Sequence, residues 1–131
     1  MGYIPLQYRK DTLVSFEIEI YEKDNGDNPF EEFMESLSLK LKAKTLRDID
    51  LLEQFGNELR EPYTKHLQDE IFELRTIVGT DISRLLFFFY YKKKIVITHG
   101  FVKRKRKTPK KEIKKAISYR EDWLRRKENE I

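Results

Sequence analysis

The chain has 131 residues, of which 39% are hydrophobic and 38% are charged, and its formal net charge at pH 7 is +4. This length suits one domain, predicted over residues 1–131, and the hydrophobic content excludes a disordered chain. The lack of cysteine excludes disulfides, thiolate metal ligands and a cysteine nucleophile. No apolar run is long enough for a signal peptide or a membrane span, so we expect a cytoplasmic protein.

The charge is distributed unevenly along the chain. From Lys103 onward there are 13 Lys or Arg residues against 5 Asp or Glu residues, whereas the rest of the chain has 14 against 18. Clustered charge focuses an electrostatic potential in a way that dispersed charge does not. We therefore expect one anion-binding surface in the C-terminal third, and a nucleic-acid backbone is the anion that suits it.

The N-terminal half predicts one strand and two helices. Residues 14–21 alternate apolar and polar side chains, which is the period of a half-buried strand. Asn28, Pro29 and Glu31 then provide an N-cap, a first-turn proline and the carboxylate of a capping box. Two runs at helical spacing predict a helical hairpin that ends at Gly56. Their apolar residues are Phe30, Phe33, Met34 and Leu37, followed by Leu39, Ala43, Leu46, Ile49, Leu52 and Phe55.

The second half predicts three strands and a helix. Residues 71–78, 83–91 and 95–101 are apolar runs with hairpin-sized links, which indicates an antiparallel meander. The run at 83–91 is apolar on both faces, as expected of the central strand. Thr108 should cap a last helix over residues 109–126. Its apolar stripe would comprise Ile113, Ala116, Ile117 and Leu124. The predicted order is β-α-α-β-β-β-α, an α+β fold.

A dense basic run follows the last predicted strand. Seven of the nine residues in 103–111 are basic. Because the run leaves a strand and enters a helix, its side chains can follow a phosphate chain, and the helix N-terminus adds partial positive charge. The alternative is a solvated surface run with no ligand. The basic residues are Lys103, Arg104, Lys105, Arg106, Lys107, Lys110 and Lys111.

Two arginines and a histidine in the predicted strands are candidates for chemistry. Arg75 shares a sheet face with Glu73 and is either half of a salt bridge or a guanidinium available to a phosphate. Arg84 opens the central strand, where a charge is usually paired or at the rim. His99 ends a strand beside the basic run, where positive charge should lower its pKa and favour the neutral base, and a structural histidine is the alternative. The other histidine, His66, completes no metal-ligand motif, so no metal or other cofactor is predicted.

The order of motifs in residues 65–117 resembles a known family. The stretches are KHLQDEIFELR, SRLLFFFYY and IVITHGFVKRKRKTPKKEIKKA. Their order and spacing resemble the RelE superfamily of toxins, most closely the phage-derived HigB type. The resemblance implies a RelE-like small antiparallel sheet with an N-terminal helical hairpin and a C-terminal helix packed on it. It also implies the toxin of a type II toxin-antitoxin system, an endoribonuclease that cleaves mRNA on the ribosome without a metal.

The resemblance also implies roles for particular residues. Arg75, Arg84, Lys103 and Lys105 match the family's functional positions. The candidate acid or base beside them is His99, or a lysine whose pKa is lowered by its cationic neighbours. The other cations, expected to bind RNA or the ribosome, are Lys65, Arg104, Arg106, Lys107, Lys110 and Lys111.

Partners and alternatives follow from the same resemblance. The implied partner is a HigA-type antitoxin with a helix-turn-helix domain, in a complex that binds operator DNA, besides the ribosome and mRNA. Relatives use a C-terminal aromatic residue, whereas Tyr119 lies within the predicted last helix and departs from that pattern. Two alternatives remain open. A ParE-type inhibitor of DNA gyrase shares the fold but generally lacks the basic run, and a non-catalytic RNA-binding protein would bind without cutting.

Overall fold

The computed structural model describes residues 15–91, 93–104 and 107–130. The predicted site residues Lys105 and Arg106 lie outside the described residues. The predicted α+β fold class is confirmed. The elements are β1 (Glu17–Ile20), α1 (Pro29–Glu35), α2 (Leu39–Phe55), β2 (Thr64–His66), β3 (Phe72–Val78), β4 (Asp81–Tyr90), β5 (Lys94–Val102) and α3 (Lys110–Asn129).

The described strands form one sheet in the order β1-β5-β4-β3-β2. The antiparallel meander of β3, β4 and β5 is confirmed, with β4 in the middle. Two features differ from the prediction. β1 pairs with β5 in parallel, and the short β2, where no strand was predicted, pairs with β3. The sheet is therefore mixed, with an antiparallel centre.

Helices cover both faces of the sheet. α1 lies on β5 and α2 on β3, over a core that includes Leu52 and Phe87. α3 covers the opposite face against β4 and β5, where Phe88 and Trp123 pack together. Alternate side chains of β4 enter the two cores, which explains why its sequence is apolar on both faces. Of the helices in the described residues, none has the length and apolarity needed to cross a membrane.

The first helix begins and faces the sheet as predicted, whereas the second departs in part from its predicted apolar stripe. The Asn28 side chain accepts a hydrogen bond from the Glu31 amide at 3.0 Å, so the predicted N-cap is confirmed. The predicted stripe of α2 is wrong in its first half, where Leu39, Ala43 and Leu46 are exposed, and is confirmed in its second half, where Ile49, Leu52 and Phe55 pack in the core. The residues that α2 buries are Leu41, Thr45, Asp48 and Leu52. Two of these four are polar, so hydrophobic periodicity identified only part of the buried face of the helix.

The last helix also starts differently from the prediction. Pro109 is the N-cap of α3 and no side chain caps the first turn. The predicted cap by Thr108 is wrong, because the Thr108 hydroxyl donates to the Glu73 carboxylate on β3 instead. Of the predicted stripe, Ile113 and Ala116 are buried, and both belong to the side of α3 that meets the sheet.

β5 contains a bulge that changes which way its side chains point. Leu86 pairs with His99, whereas the next residue of β4, Phe87, pairs with Ile97, so Thr98 is an extra residue in β5. In a regular strand Ile97 and His99 would share a face. The bulge reverses the alternation, a known means of redirecting a side chain. His99 consequently lies on the face covered by α3.

Candidate active site

The candidate residues from the strands converge on the sheet face that α3 covers, which we call the site face. Residues that pair directly across antiparallel strands have their side chains on the same face. One row across β2, β3, β4 and β5 therefore contains Lys65, Glu73, Leu86 and His99. The next row contains Arg75, Arg84 and Phe101. The structure thus brings Lys65, Arg75, Arg84 and His99 together from four strands.

A buried carboxylate occupies the centre of the site face. Glu73 is 0% exposed, and Nη1 of Arg84 donates to both of its carboxylate oxygens at 3.2 Å. The hydroxyl of Thr108 donates to Oε1 of the same carboxylate. Nε of Arg75 lies 3.5 Å from Oε2, so the Glu73–Arg75 ion pair considered from the sequence is present. Glu73 therefore joins two cations and the segment that precedes α3.

The two arginines of this cluster differ in access to solvent. The side chain of Arg84 is 0% exposed, whereas that of Arg75 is 19% exposed. Of these two arginines, only Arg75 can be reached by an anion from solvent. Nε of Arg75 is buried and makes no hydrogen bond to Glu73, so the contact between the two is an ion pair. Arg75 is the cation of this cluster that has the access a phosphate needs.

His99 lies inside β5, which continues to Val102, and is not at the strand end as we predicted. It is 4% exposed, with Nε2 3.0 Å from Oε1 of Glu112 and Nδ1 3.1 Å from Oγ1 of Thr98. Burial lowers the pKa of His99, although Glu112 raises it and Lys115 adds a smaller lowering. The expected direction is confirmed, but burial and not surrounding positive charge is the main cause. A carboxylate only accepts, so a hydrogen bond between these two groups requires the proton on Nε2 of His99.

Aromatic rings surround His99. The ring of Tyr119 stands edge-on to the His99 ring at 5.5 Å and stacks on Tyr21 at 4.8 Å. Phe101 lies 6.5 Å from His99. The aromatic residue of the last helix, which departs from the family pattern in sequence, is therefore in contact with the candidate histidine.

The basic segment, residues 103–111, is attached to the sheet at both ends. At its start the Lys103 amide donates to the Ile82 carbonyl at 3.0 Å. Near its end Thr108 bonds Glu73, and one turn into α3 the carboxylate of Glu112 meets His99. These contacts bring Thr108 and Glu112 into the site, although Thr108 was predicted only as a helix cap and no role was predicted for Glu112. Their place in the motif TPKKEIKKA was the only sequence signal for them.

The remaining predicted cations lie around this centre. Arg104 is 74% exposed by side chain and pairs with Asp81 at 3.2 Å, and Lys103 is half-buried. The other described cations are exposed on β2, in the basic segment and in the first turn of α3. They are Lys65, Lys107, Lys110 and Lys111. The cations therefore surround a buried centre in which Arg84 and His99 are enclosed.

Comparison with known proteins identifies one family. No curated protein matches the chain. A family model described as "Phage derived protein Gp49-like (DUF891)" matches residues 32–121, which is more than half of the chain. The matched residues include the Glu73 cluster, His99 and Glu112. The chain belongs to the phage-derived Gp49-like family.

Proposed function

We propose that this protein is the toxin of a type II toxin-antitoxin system, of the RelE and HigB kind, and that it cleaves mRNA on the ribosome. The observation that carries the proposal is the partly exposed Arg75 guanidinium, held by a buried Glu73–Arg84 pair beside an attached basic segment. Such a group suits a phosphodiester, because guanidinium donors form charge-assisted hydrogen bonds to phosphate oxygens. Membership of the Gp49-like family supports a toxin-like protein.

The proposed reaction needs charge stabilisation and two proton transfers. The ribose 2′-oxygen forms a bond to the adjacent phosphorus, and the bond from phosphorus to the 5′-oxygen breaks. One proton leaves the 2′-hydroxyl and one reaches the departing 5′-oxygen. In this proposal Arg75 and Lys103 stabilise the negative charge that develops on the phosphate oxygens. Arg84 contributes through Glu73, because its burial keeps it from the RNA.

Proton transfer is proposed for Lys105, or for His99 acting through Glu112, the more exposed member of that pair. A carboxylate beside a histidine orients the ring and stabilises the charge that forms on it. His99 has such a neighbour, because its Nε2 lies 3.0 Å from Oε1 of Glu112. The remaining cations are proposed to bind RNA or the ribosome, and they are Lys65, Arg104, Arg106, Lys107, Lys110 and Lys111.

The direct test is the variant Arg75→Ala in a ribosome-dependent cleavage assay. Loss of one electrostatic donor should reduce the rate by about 100- to 1,000-fold while the fold is retained. Arg125→Ala is the matched control, because Arg125 is 68% exposed by side chain near the other end of α3 and should leave cleavage unchanged. Cleavage at the wild-type rate by folded Arg75→Ala would contradict the proposed role of this arginine.

Two further outcomes would favour the other functions. Inhibition of gyrase supercoiling without cuts in mRNA would identify a ParE-type inhibitor. Binding to RNA or ribosomes without cuts would identify a non-catalytic RNA-binding protein. Mapping of mRNA ends after induced expression, beside a supercoiling assay, separates these outcomes.

The proposed partner is a HigA-type helix-turn-helix antitoxin encoded in an adjacent gene, in a complex that binds operator DNA. Co-expression of such a neighbouring gene should restore growth and form a complex that can be purified. Growth arrest that persists while both proteins are present would contradict this pairing.

A further inference from the structure

Glu73 occupies a position that an apolar side chain would fill more simply. It lies on the site face, directly opposite Leu86 and two residues after Ile71, and both of these neighbours are 0% exposed. An ionised carboxylate in such a place loses its hydration, and only well-placed partners offset that loss. The arrangement of those partners therefore indicates what the carboxylate does.

The partners of Glu73 come from three parts of the chain. Arg84 on β4 binds both oxygens, Arg75 on β3 meets Oε2, and Thr108 before α3 donates to Oε1. The Arg84 contact fixes the carboxylate in the sheet. The other two contacts involve groups near the surface: a partly exposed guanidinium and the end of the basic segment. One buried carboxylate thus sets the positions of both groups relative to each other, which an apolar residue would not do.

We propose that Glu73 is a positioning residue for RNA cleavage and that the Thr108–Glu73 hydrogen bond holds the described end of the basic segment, residues 107–111, beside Arg75. This inference rests on the proposed function, because these positions matter for catalysis only where RNA reacts. When the hydrogen bond is lost, the cations of the segment move relative to Arg75. A displacement of about 1 Å in a catalytic arrangement lowers the rate by about 100-fold.

The test compares two variants of Thr108 in the ribosome-dependent assay. Valine has nearly the shape of threonine but lacks the hydroxyl, whereas serine retains it. Thr108→Val should lower kcat/KM by about 10- to 100-fold, and Thr108→Ser should stay close to the wild-type value. Glu73→Gln keeps an oxygen for Thr108 but removes the negative charge that faces Arg75, so it should lower kcat more than it raises KM.

The chain offers a matched control on the opposite face of β3. The buried hydroxyl of Thr76 donates to Oδ2 of Asp48 at 2.7 Å, which is also a hydroxyl-to-carboxylate bond. Thr76→Val removes a comparable contact from the fold without touching the site face. It should leave kcat/KM unchanged at a temperature at which circular dichroism shows every variant to be folded.

The outcomes separate the inference from the function on which it rests. If the wild-type protein cleaves mRNA and Thr108→Val cleaves it equally well, the positioning role is overturned and the proposed function stands. Equal losses in Thr108→Val and Thr76→Val would also overturn it, since stability alone would then explain them. A folded wild-type protein that makes no cuts overturns the proposed function and this inference with it.

Discussion

Replacement of Arg84 by methionine should strongly destabilise the fold. Arg84 and Glu73 are both 0% exposed by side chain, and two hydrogen bonds of 3.2 Å join them. Removal of one partner from a buried ion pair costs about 3–5 kcal/mol, because the other charge stays in a poorly solvated place. Thr108 and Arg75 still contact the carboxylate in this variant. We therefore expect a loss near the lower end of that range, about 3 kcal/mol.

The double variant Arg84→Met/Glu73→Leu tests the cause of this loss. Replacement of both charges by apolar residues removes the buried carboxylate, so much of the lost stability should return. A residual cost of about 1–2 kcal/mol should remain, since Thr108 loses its acceptor and Arg75 loses its ion-pair partner. Urea unfolding is readily followed through the single tryptophan, Trp123, which packs edge-on against Phe88 in the α3 layer.

A matched surface pair makes the result decisive. Arg125 and Asp122 are joined at 2.6 Å, but the Arg125 side chain is 68% exposed. Arg125→Met should therefore cost only about 0–1 kcal/mol. If Arg84→Met costs no more than Arg125→Met, or if the double variant is less stable than Arg84→Met, burial of the Glu73 charge is not the origin of the effect.

Two further predictions concern β5. The pKa of His99 is lowered in the folded state. As the pH drops below the ordinary value of 6.5, the unfolded chain therefore binds a proton at His99 before the folded chain does. The free energy of unfolding should consequently fall as the pH drops from 6.5. The free energy of unfolding should change by no more than about 1.4 kcal/mol per pH unit. In urea titrations, His99→Gln should remove this part of the pH dependence, whereas His66→Gln, a control at an exposed position, should retain it. Gly100→Ala would place a Cβ 2.5 Å from the Phe33 ring and 2.7 Å from Leu85. Urea unfolding should therefore show a free energy of unfolding that is lower by about 1–3 kcal/mol. A variant as stable as the wild type would contradict this packing.

Local patterns predicted much of the fold. Alternation and hairpin-sized links were sufficient for β3, β4 and β5, because antiparallel neighbours are set by short connections. The cap at Asn28 was equally local. The parallel edge strand β1 was not predicted, since its pairing with β5 joins distant parts of the chain. Only part of the buried face of α2 was predicted, because Asp48 is buried through a hydrogen bond with Thr76, which hydrophobicity does not register.

The sequence predicted which residues belong to the site but not which of them are buried or which contact each other. Arg75, Arg84 and His99 do share a sheet face, and their roles in catalysis stay predictions. The burial of Arg84 was not apparent, because its partner Glu73 precedes it by 11 residues on another strand. Thr108 was read as a helix cap, since a threonine before a proline carries a local signal, whereas its bond to Glu73 depends on tertiary packing.

The bulge at Thr98 lets Ile97 and His99, which are two residues apart in β5, face opposite layers of the fold. Because Thr98 is the extra residue, its deletion would restore regular alternation with His99 still opposite Leu86 and on the face away from Ile97. Length variation is usually harmless in loops. At this position of the strand, a single-residue deletion should likewise leave every residue proposed for catalysis on its own face of the sheet.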